Sequence, residues 1–224
     1  MNNNKAFEES KNLLYSCFAA WSLCFIIFLV LGENYPSVRI ALAAVKLLIA
    51  VFAMYIMYFF RDPERHASKD EKDIVSPADG VVVAIEELDE TQFTQKKMKR
   101  IAIFLNVFNV HINRAPYLGK ISKLQHYPGK FLDARHPQCS VENESQSWLI
   151  EHNGFSLVIR QVAGLIARRI CVWKNEGDEV QKGERIGMIK FGSRTELYIP
   201  MDCEVTVKVG DAVKGASSVI ARRM

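Results

Sequence analysis

Gly192-Ser193 stands between a strand-like run, Arg185-Ile186-Gly187-Met188-Ile189, and a basic residue, Arg194. A glycine tolerates a strained backbone without a Cβ clash, and the serine brings a hydroxyl next to the carbonyl of its own peptide bond. Attack by that hydroxyl moves the acyl group from nitrogen to oxygen. Elimination from the ester leaves a dehydroalanine, which hydrolyses to a pyruvoyl group. Most Gly-Ser pairs are plain turns, so this chemistry needs partners. A base must take the Ser193 proton, and histidine is the usual one near neutral pH. His111, in Asn109-Val110-His111-Ile112-Asn113-Arg114-Ala115-Pro116, follows the strand-like Phe104-Leu105 and stands at a turn. A base is generally oriented by a carboxylate. Ser76-Pro77-Ala78-Asp79-Gly80 places Asp79 in a tight turn before a strand, although an Asp-Gly pair is most often only a turn.

The elements that must position these residues are strands. From Asp73 onward, short β-branched or alternating runs recur at 80–85, 100–105 and 155–160, punctuated by Gly, Asp, Asn and Pro. No long stretch of helical period follows residue 61. The expectation is a mainly β, sandwich-like catalytic domain over 63–224. Within it, Gly177-Asp178-Glu179-Val180-Gln181-Lys182-Gly183 is echoed by Gly210-Asp211-Ala212-Val213-Lys214-Gly215. Two like half-units suggest a pseudo-symmetric hammerhead of strands. That pattern resembles the lipoyl/biotinyl carrier fold, in a barrel-sandwich C-terminal part with Ser193 near a hairpin tip.

The front of the chain is different. Leu13–Leu31 is nearly free of charge, and Ile40–Phe60 is interrupted only by Lys46. Each run approaches the ~20 residues that cross a bilayer, and Gly32-Glu33-Asn34-Tyr35-Pro36-Ser37 is a breaker between them. A cleaved signal peptide fits poorly, because Glu8 and Glu9 precede the first run and a second run follows at once. Residues 1–62 are therefore expected to form an α-helical membrane hairpin, either spanning or re-entrant. Lys5 and Lys11 at one end and Arg61, Arg65 and Lys69 at the other predict that both ends face the cytoplasm, with the domain on that side of the inner membrane.

Composition sets outer bounds. The 224 residues carry a net charge of +4. This suits an anionic lipid surface and is far from a nucleic-acid signature. The five cysteines contain no C-x-x-C, which argues against a disulfide scaffold and a zinc site. No His pair has helical metal-ligand spacing, and no metal is expected. Arg114, Arg168 and Arg194 are candidates for a phosphate contact, since guanidinium forks suit phosphate. An internal ion pair or a solvated strand end explains them equally well.

Five segments occur in order: Phe60-Arg61-Asp62-Pro63-Glu64-Arg65, Val75-Ser76-Pro77-Ala78-Asp79-Gly80, Val110-His111-Ile112-Asn113-Arg114-Ala115-Pro116, Gln161–Ile170 and Phe191-Gly192-Ser193-Arg194. Together they resemble the short type of phosphatidylserine decarboxylase proenzyme over essentially the whole chain. The resemblance implies self-cleavage at Gly192–Ser193 into a β chain, 1–192, and an α chain, 193–224, held together as a heterodimer or a higher oligomer. It implies a pyruvoyl cofactor derived from Ser193, and a self-processing triad of Asp79, His111 and Ser193. It implies phosphatidylserine as substrate, taken as a Schiff base and released, after loss of CO2, as phosphatidylethanolamine. Longer members of the family carry a second histidine three residues before the triad histidine. Here Phe108 stands in that place. The proton donor is then His111 or His126, and Phe108 would desolvate the leaving carboxylate. Two alternatives stay open. One is a membrane-tethered carrier or adaptor without catalysis, modified at Lys190. The other is a homologue acting on a different lipid-linked serine.

Overall fold

The computed structural model describes residues 5–31, 35–136, 138–165, 169–190 and 193–224. Two compact units divide the chain, Met1–Asp62 and Pro63–Met224. The first is a pair of helices, α1 (Lys5–Leu31) and α2 (Pro36–Phe59). Pro36 opens α2, where its missing N–H costs nothing and its fixed φ suits a helix. Both helices are long and apolar enough to cross a membrane, with mean hydropathies of 2.3 and 2.4. At ~1.5 Å per residue each exceeds the ~30 Å hydrocarbon core. Lys46, the one charge inside the second apolar run, does not point away from its neighbour. Its Nζ lies 4.0 Å from the centroid of Phe28 and 5.3 Å from that of Phe25. Aromatic faces on α1 thus hold the cation on α2.

The second unit is β-rich. Its strands are β1 (Asp73–Val75), β2 (Gly80–Glu90), β3 (Lys96–Leu105), β4 (Ile112–Arg114), β5 (Gly119–Tyr127), β6 (Ser145–His152) and β7 (Phe155–Val162). After these come β8 (Ile170–Val172), β9 (Glu179–Val180), β10 (Arg185–Ile189), β11 (Ser193–Pro200), β12 (Glu204–Val205), β13 (Ala212–Val213) and β14 (Val219–Arg222). A short helix, α3 (Cys139–Glu142), precedes β6. The main sheet has eight strands in the order β13-β2-β3-β11-β7-β6-β5-β9. Two three-stranded sheets accompany it, β1-β14-β12 and β4-β10-β8. One face of the main sheet is the core. Ile101, Ile103, Leu105, Leu157, Ile159, Leu197 and Ile199 pack there with Trp148, each fully buried, as the alternation of period two in β3, β7 and β11 requires.

The sequence echo is a structural repeat. Gly177 and Gly210 both have positive φ, 92° and 98°. Gly177 N donates to Ile121 O and Gly210 N to Val82 O, both at 2.8 Å. Ile121 N and Val82 N donate in turn to Asp178 O and Asp211 O, both at 2.9 Å. Five residues beyond each aspartate, Gly183 N reaches Ala115 O and Ala216 N reaches Ser76 O, again with positive φ at both donors. The turns feed β9 and β13, which are the two outer strands of the main sheet. This symmetry also relates Ser76-Pro77-Ala78-Asp79-Gly80-Val81-Val82 to Ala115-Pro116-Tyr117-Leu118-Gly119-Lys120-Ile121.

One detail differs from the sequence expectation. β10 has both edges occupied, by β4 and β8, and β11 has both occupied, by β3 and β7. Neither has an edge left for the other, so β10 and β11 lie in different sheets and are not the two arms of one hairpin.

Candidate active site

Ser193 begins β11, opposite Leu105, the last residue of β3. His111 precedes β4, and its carbonyl accepts a bond from Ile189 N at 3.2 Å, at the end of β10. The connection 106–111 leads from β3 in the main sheet to β4 in a three-stranded sheet, and β11 and β10 belong to the same two sheets. That connection carries His111, and Ser193 stands at the start of β11. Ser193 is fully buried, and its Oγ has no hydrogen-bond partner.

His111 is fully buried as well. Its Nδ1 lies 2.9 Å from Asn109 O. A carbonyl oxygen only accepts, so Nδ1 carries the proton, and in the neutral ring the lone pair resides on Nε2. Asn109 is held by its own loop. Asn106 N donates to Asn109 Oδ1 at 2.9 Å, Phe108 N to Asn106 Oδ1 at 2.8 Å, and Asn109 N to Asn106 O at 3.0 Å. Two asparagines three apart close a local turn with their own amides, and this turn fixes the carbonyl that sets the histidine tautomer.

Asp79 is placed differently. Its Oδ2 pairs with Arg65 Nη2 at 2.9 Å and its Oδ1 accepts from Gly215 N at 2.7 Å. His111 is not among its partners. The following residue, Gly80, sits hard against β3, since a Cβ there would lie 2.2 Å from Phe104 O. Phe104 pairs with Arg194 on its other side. The Asp79 turn thus lies two strands from the start of β11, or about 10 Å at ordinary strand spacing.

A polar patch continues inward from Ser193 on the core face. Asn113 Nδ2 donates to Thr195 Oγ1 at 3.1 Å, and Gln161 Nε2 donates to Asn113 Oδ1. All three residues are buried, and Gln161 Oε1 has no partner. Gly187 leaves room for this amide, because a Cβ at 187 would lie 3.3 Å from Gln161 Nε2 and 2.5 Å from Cys171 O. None of these three was singled out from the sequence.

The opposite face carries a charge cluster. Glu196, fully buried, accepts from Ser140 Oγ and, at 2.7 Å, from Tyr198 Oη. Arg100, Arg194 and Arg160 approach it at 3.4, 3.8 and 3.9 Å. Burial, with the Glu196 charge beside it, pushes the Tyr198 hydroxyl far up. Burial works against the charge on Arg100, and Glu196 and Glu86 outweigh it.

The other sequence candidates fall as follows. Arg194 donates to Ser140 Oγ at 3.0 Å inside that cluster. Arg114 donates to Gly183 O and Pro63 O, both at 3.1 Å. Phe108 is 62% exposed. His126 is exposed on β5, three strands away from β11. Lys190 N donates to Arg169 O at 3.1 Å. Gly192 and Arg168 lie outside the described residues.

The family model for phosphatidylserine decarboxylase matches residues 52–221. The chain belongs to the phosphatidylserine decarboxylase family. This is a family of carboxy-lyases. Three relatives called phosphatidylserine decarboxylase proenzyme illustrate the similarity. That of Magnetococcus marinus is 42% identical over 87% of this chain and 95% of its own length. Those of Desulfotalea psychrophila and Syntrophus aciditrophicus are 44% and 45% identical, over 75% and 74% of this chain and 79% and 78% of theirs.

Proposed function

We propose that this chain is a membrane-tethered phosphatidylserine decarboxylase that makes its own pyruvoyl cofactor by cutting Gly192–Ser193. The observation that carries the reading is the Ser193 hydroxyl, buried without a partner beside the connection that bears His111. Nε2 of His111 takes the hydroxyl proton, and Oγ attacks the Gly192 carbonyl, giving an ester. Elimination releases the Gly192 carboxylate and leaves dehydroalanine at 193. Water then displaces ammonia, leaving the pyruvoyl group.

Asp79 is the third member of the set. Its carboxylate holds the Ser76–Gly80 turn through Gly215 N and keeps Arg65 beside it. After the cut, the α chain remains in place by strand pairing. β11 lies between β3 and β7, and β13 and β14 pair with β2 and β1.

The start of β11 suits the group, since residue 193 is fully buried; the new carbonyl would form at its Cα in place of the amine, and its Cβ would become a methyl group as Oγ departs with the Gly192 carboxylate. There the group would supply an electrophilic carbonyl for the amine of phosphatidylserine and an electron sink for the pair freed as CO2 leaves. His111 is the described histidine at this place that can return a proton to the substrate carbon, because His126 stands three strands away. The products are CO2 and phosphatidylethanolamine. The basic residues at the ends of the two apolar helices favour an inner-membrane hairpin with the catalytic unit in the cytoplasm.

The test is the mass of the purified polypeptides. Two chains are expected, ending at 192 and beginning at 193, the smaller with a ketone at its N-terminus that carbonyl reagents trap with loss of activity. A single intact chain that still releases CO2 overturns the assignment.

A further inference from the structure

We infer that the strand end holding Ser193 is itself a bilayer-docking surface, with Phe108 and Leu165 as its apolar tips; the inference rests on the decarboxylase reading. β3, β11 and β7 are consecutive in the main sheet. The last residue of β3, Leu105, pairs with Ser193, and the last of β7, Val162, pairs with Arg194. The chain therefore leaves β3 and β7 at the same edge where β11 begins. Three residues past Leu105 stands Phe108, and three residues past Val162 stands Leu165. Their strands are two positions apart, about 10 Å, with Ser193 between them.

Both tips are open to solvent, Phe108 at 62% and Leu165 at 61%. An aromatic ring and a leucine on neighbouring loop tips gain nothing from water. The Phe108 loop is also tightly built, with its asparagine turn holding the phenylalanine outward. Cations accompany the apolar tips. Arg169 is exposed, and Lys190 is joined to it through the backbone at the entry to the site. Apolar tips accompanied by an exposed arginine and a lysine match an interface whose lipid head groups are anionic.

A bilayer explains this combination better than a second protein would. The proposed substrate has its acyl chains in the membrane, while its reacting carboxylate and amine must reach a fully buried residue. Seating the two tips among the head groups would bring the strand end to the lipid and spare the lipid a journey through water.

The experiment uses the full chain in vesicles of phosphatidylcholine and phosphatidylglycerol brominated near the head-group end of the acyl chains. Tryptophan is introduced as Leu165→Trp, or as Glu151→Trp, an exposed site toward the far end of the β6–β7 pair. The parent emission is subtracted. Emission added at 165 should fall roughly twofold or more on bromination, and emission added at 151 should not change. Equal quenching at both sites, or none at 165, overturns the inference. Concentration-dependent cross-linking of unquenched 165 sites would replace the bilayer with a second copy of the chain.

A second readout uses Leu165→Asp. The ratio of CO2 release from bilayer phosphatidylserine to that from a soluble short-chain phosphatidylserine should drop about tenfold, since a charge at the tip opposes seating. An unchanged ratio overturns the inference. If the parent protein releases CO2 from neither substrate, the decarboxylase reading fails instead, and the quenching result still reports on docking.

Discussion

Removing the hydroxyl that the proposed chemistry requires should make the uncut protein more stable. Ser193 is fully buried, and its Oγ has no partner. A hydroxyl taken from water without a compensating bond costs about 1–3 kcal/mol. Ser193→Ala abolishes that cost and leaves a space of one oxygen atom, which returns only part of it. A net gain of about 1 kcal/mol is expected. For a chain of this size that corresponds to roughly 2–4 °C in Tm.

The comparison needs a chain that stays whole with serine in place. His111→Ala removes the base and should stall cleavage, so the pair to compare is His111→Ala against His111→Ala/Ser193→Ala. Both should run as one chain of 25.5 kDa. Both are melted in the same detergent and followed by near-UV circular dichroism, which reads the packed β unit. A higher midpoint in the double variant supports a desolvated, unbonded hydroxyl at residue 193. A lower midpoint means that Ser193 is bonded and well solvated by the fold, and the argument from its isolation is then wrong. Efficient cleavage of His111→Ala would remove His111 from the role of base before any melting is done.

Glu196→Gln should lower stability by about 3–5 kcal/mol, because it leaves Arg100, Arg160 and Arg194 facing one another without their shared carboxylate; an unchanged melting midpoint would refute that account. Glu90 predicts a pH dependence. Burial alone would raise its pKa, but the N–H groups of Gln92, Phe93 and Thr94 and the Thr94 hydroxyl bind the carboxylate and hold it below the usual value. The folded pKa therefore lies below the unfolded one. Its stabilisation is complete above the unfolded value and is lost as pH falls through the folded one. The melting midpoint should decline below about pH 5, and Glu90→Gln should flatten that decline; a slope identical in both proteins would count against it.

The candidate residues were legible because the chemistry they suggest and the turns that carry them use distinctive residue types. Ser193, His111 and Asp79 stood out as candidates by residue type and turn context, and two apolar runs became α1 and α2. The polar patch of Asn113, Gln161 and Thr195 could have been found from alternation. Along β11 the inward positions run Ile199, Leu197, Thr195, Ser193, and along β7 they run Leu157, Ile159, Gln161. In both strands the core-facing series changes from apolar to polar at the same end, which marks where the core gives way to a site. The orientation of His111 was not legible. A carboxylate partner was expected by analogy with other bases, whereas a backbone carbonyl, set by asparagine turns, holds the ring. Backbone acceptors carry no side-chain identity and leave no mark in a sequence.

The repeat explains why Asp79 is where it is. The fold builds the same turn twice, and the spatial counterpart of Asp79-Gly80 is Leu118-Gly119. Both glycines are packed against the neighbouring strand, since a Cβ at 80 would meet Phe104 O and one at 119 would meet Glu151 O. That close approach is a requirement of the architecture, and it is met in both halves. The side chain before the glycine is not so constrained. Leu118 packs against the apolar core, which shows that the turn needs no carboxylate to form. Asp79 is therefore an addition to one half of a symmetric frame, on the side where β2 leads to β3 and β11. Its carboxylate makes two bonds that Leu118 cannot, to Gly215 N and to Arg65, so this half of the frame carries an anchored charge that the other half lacks.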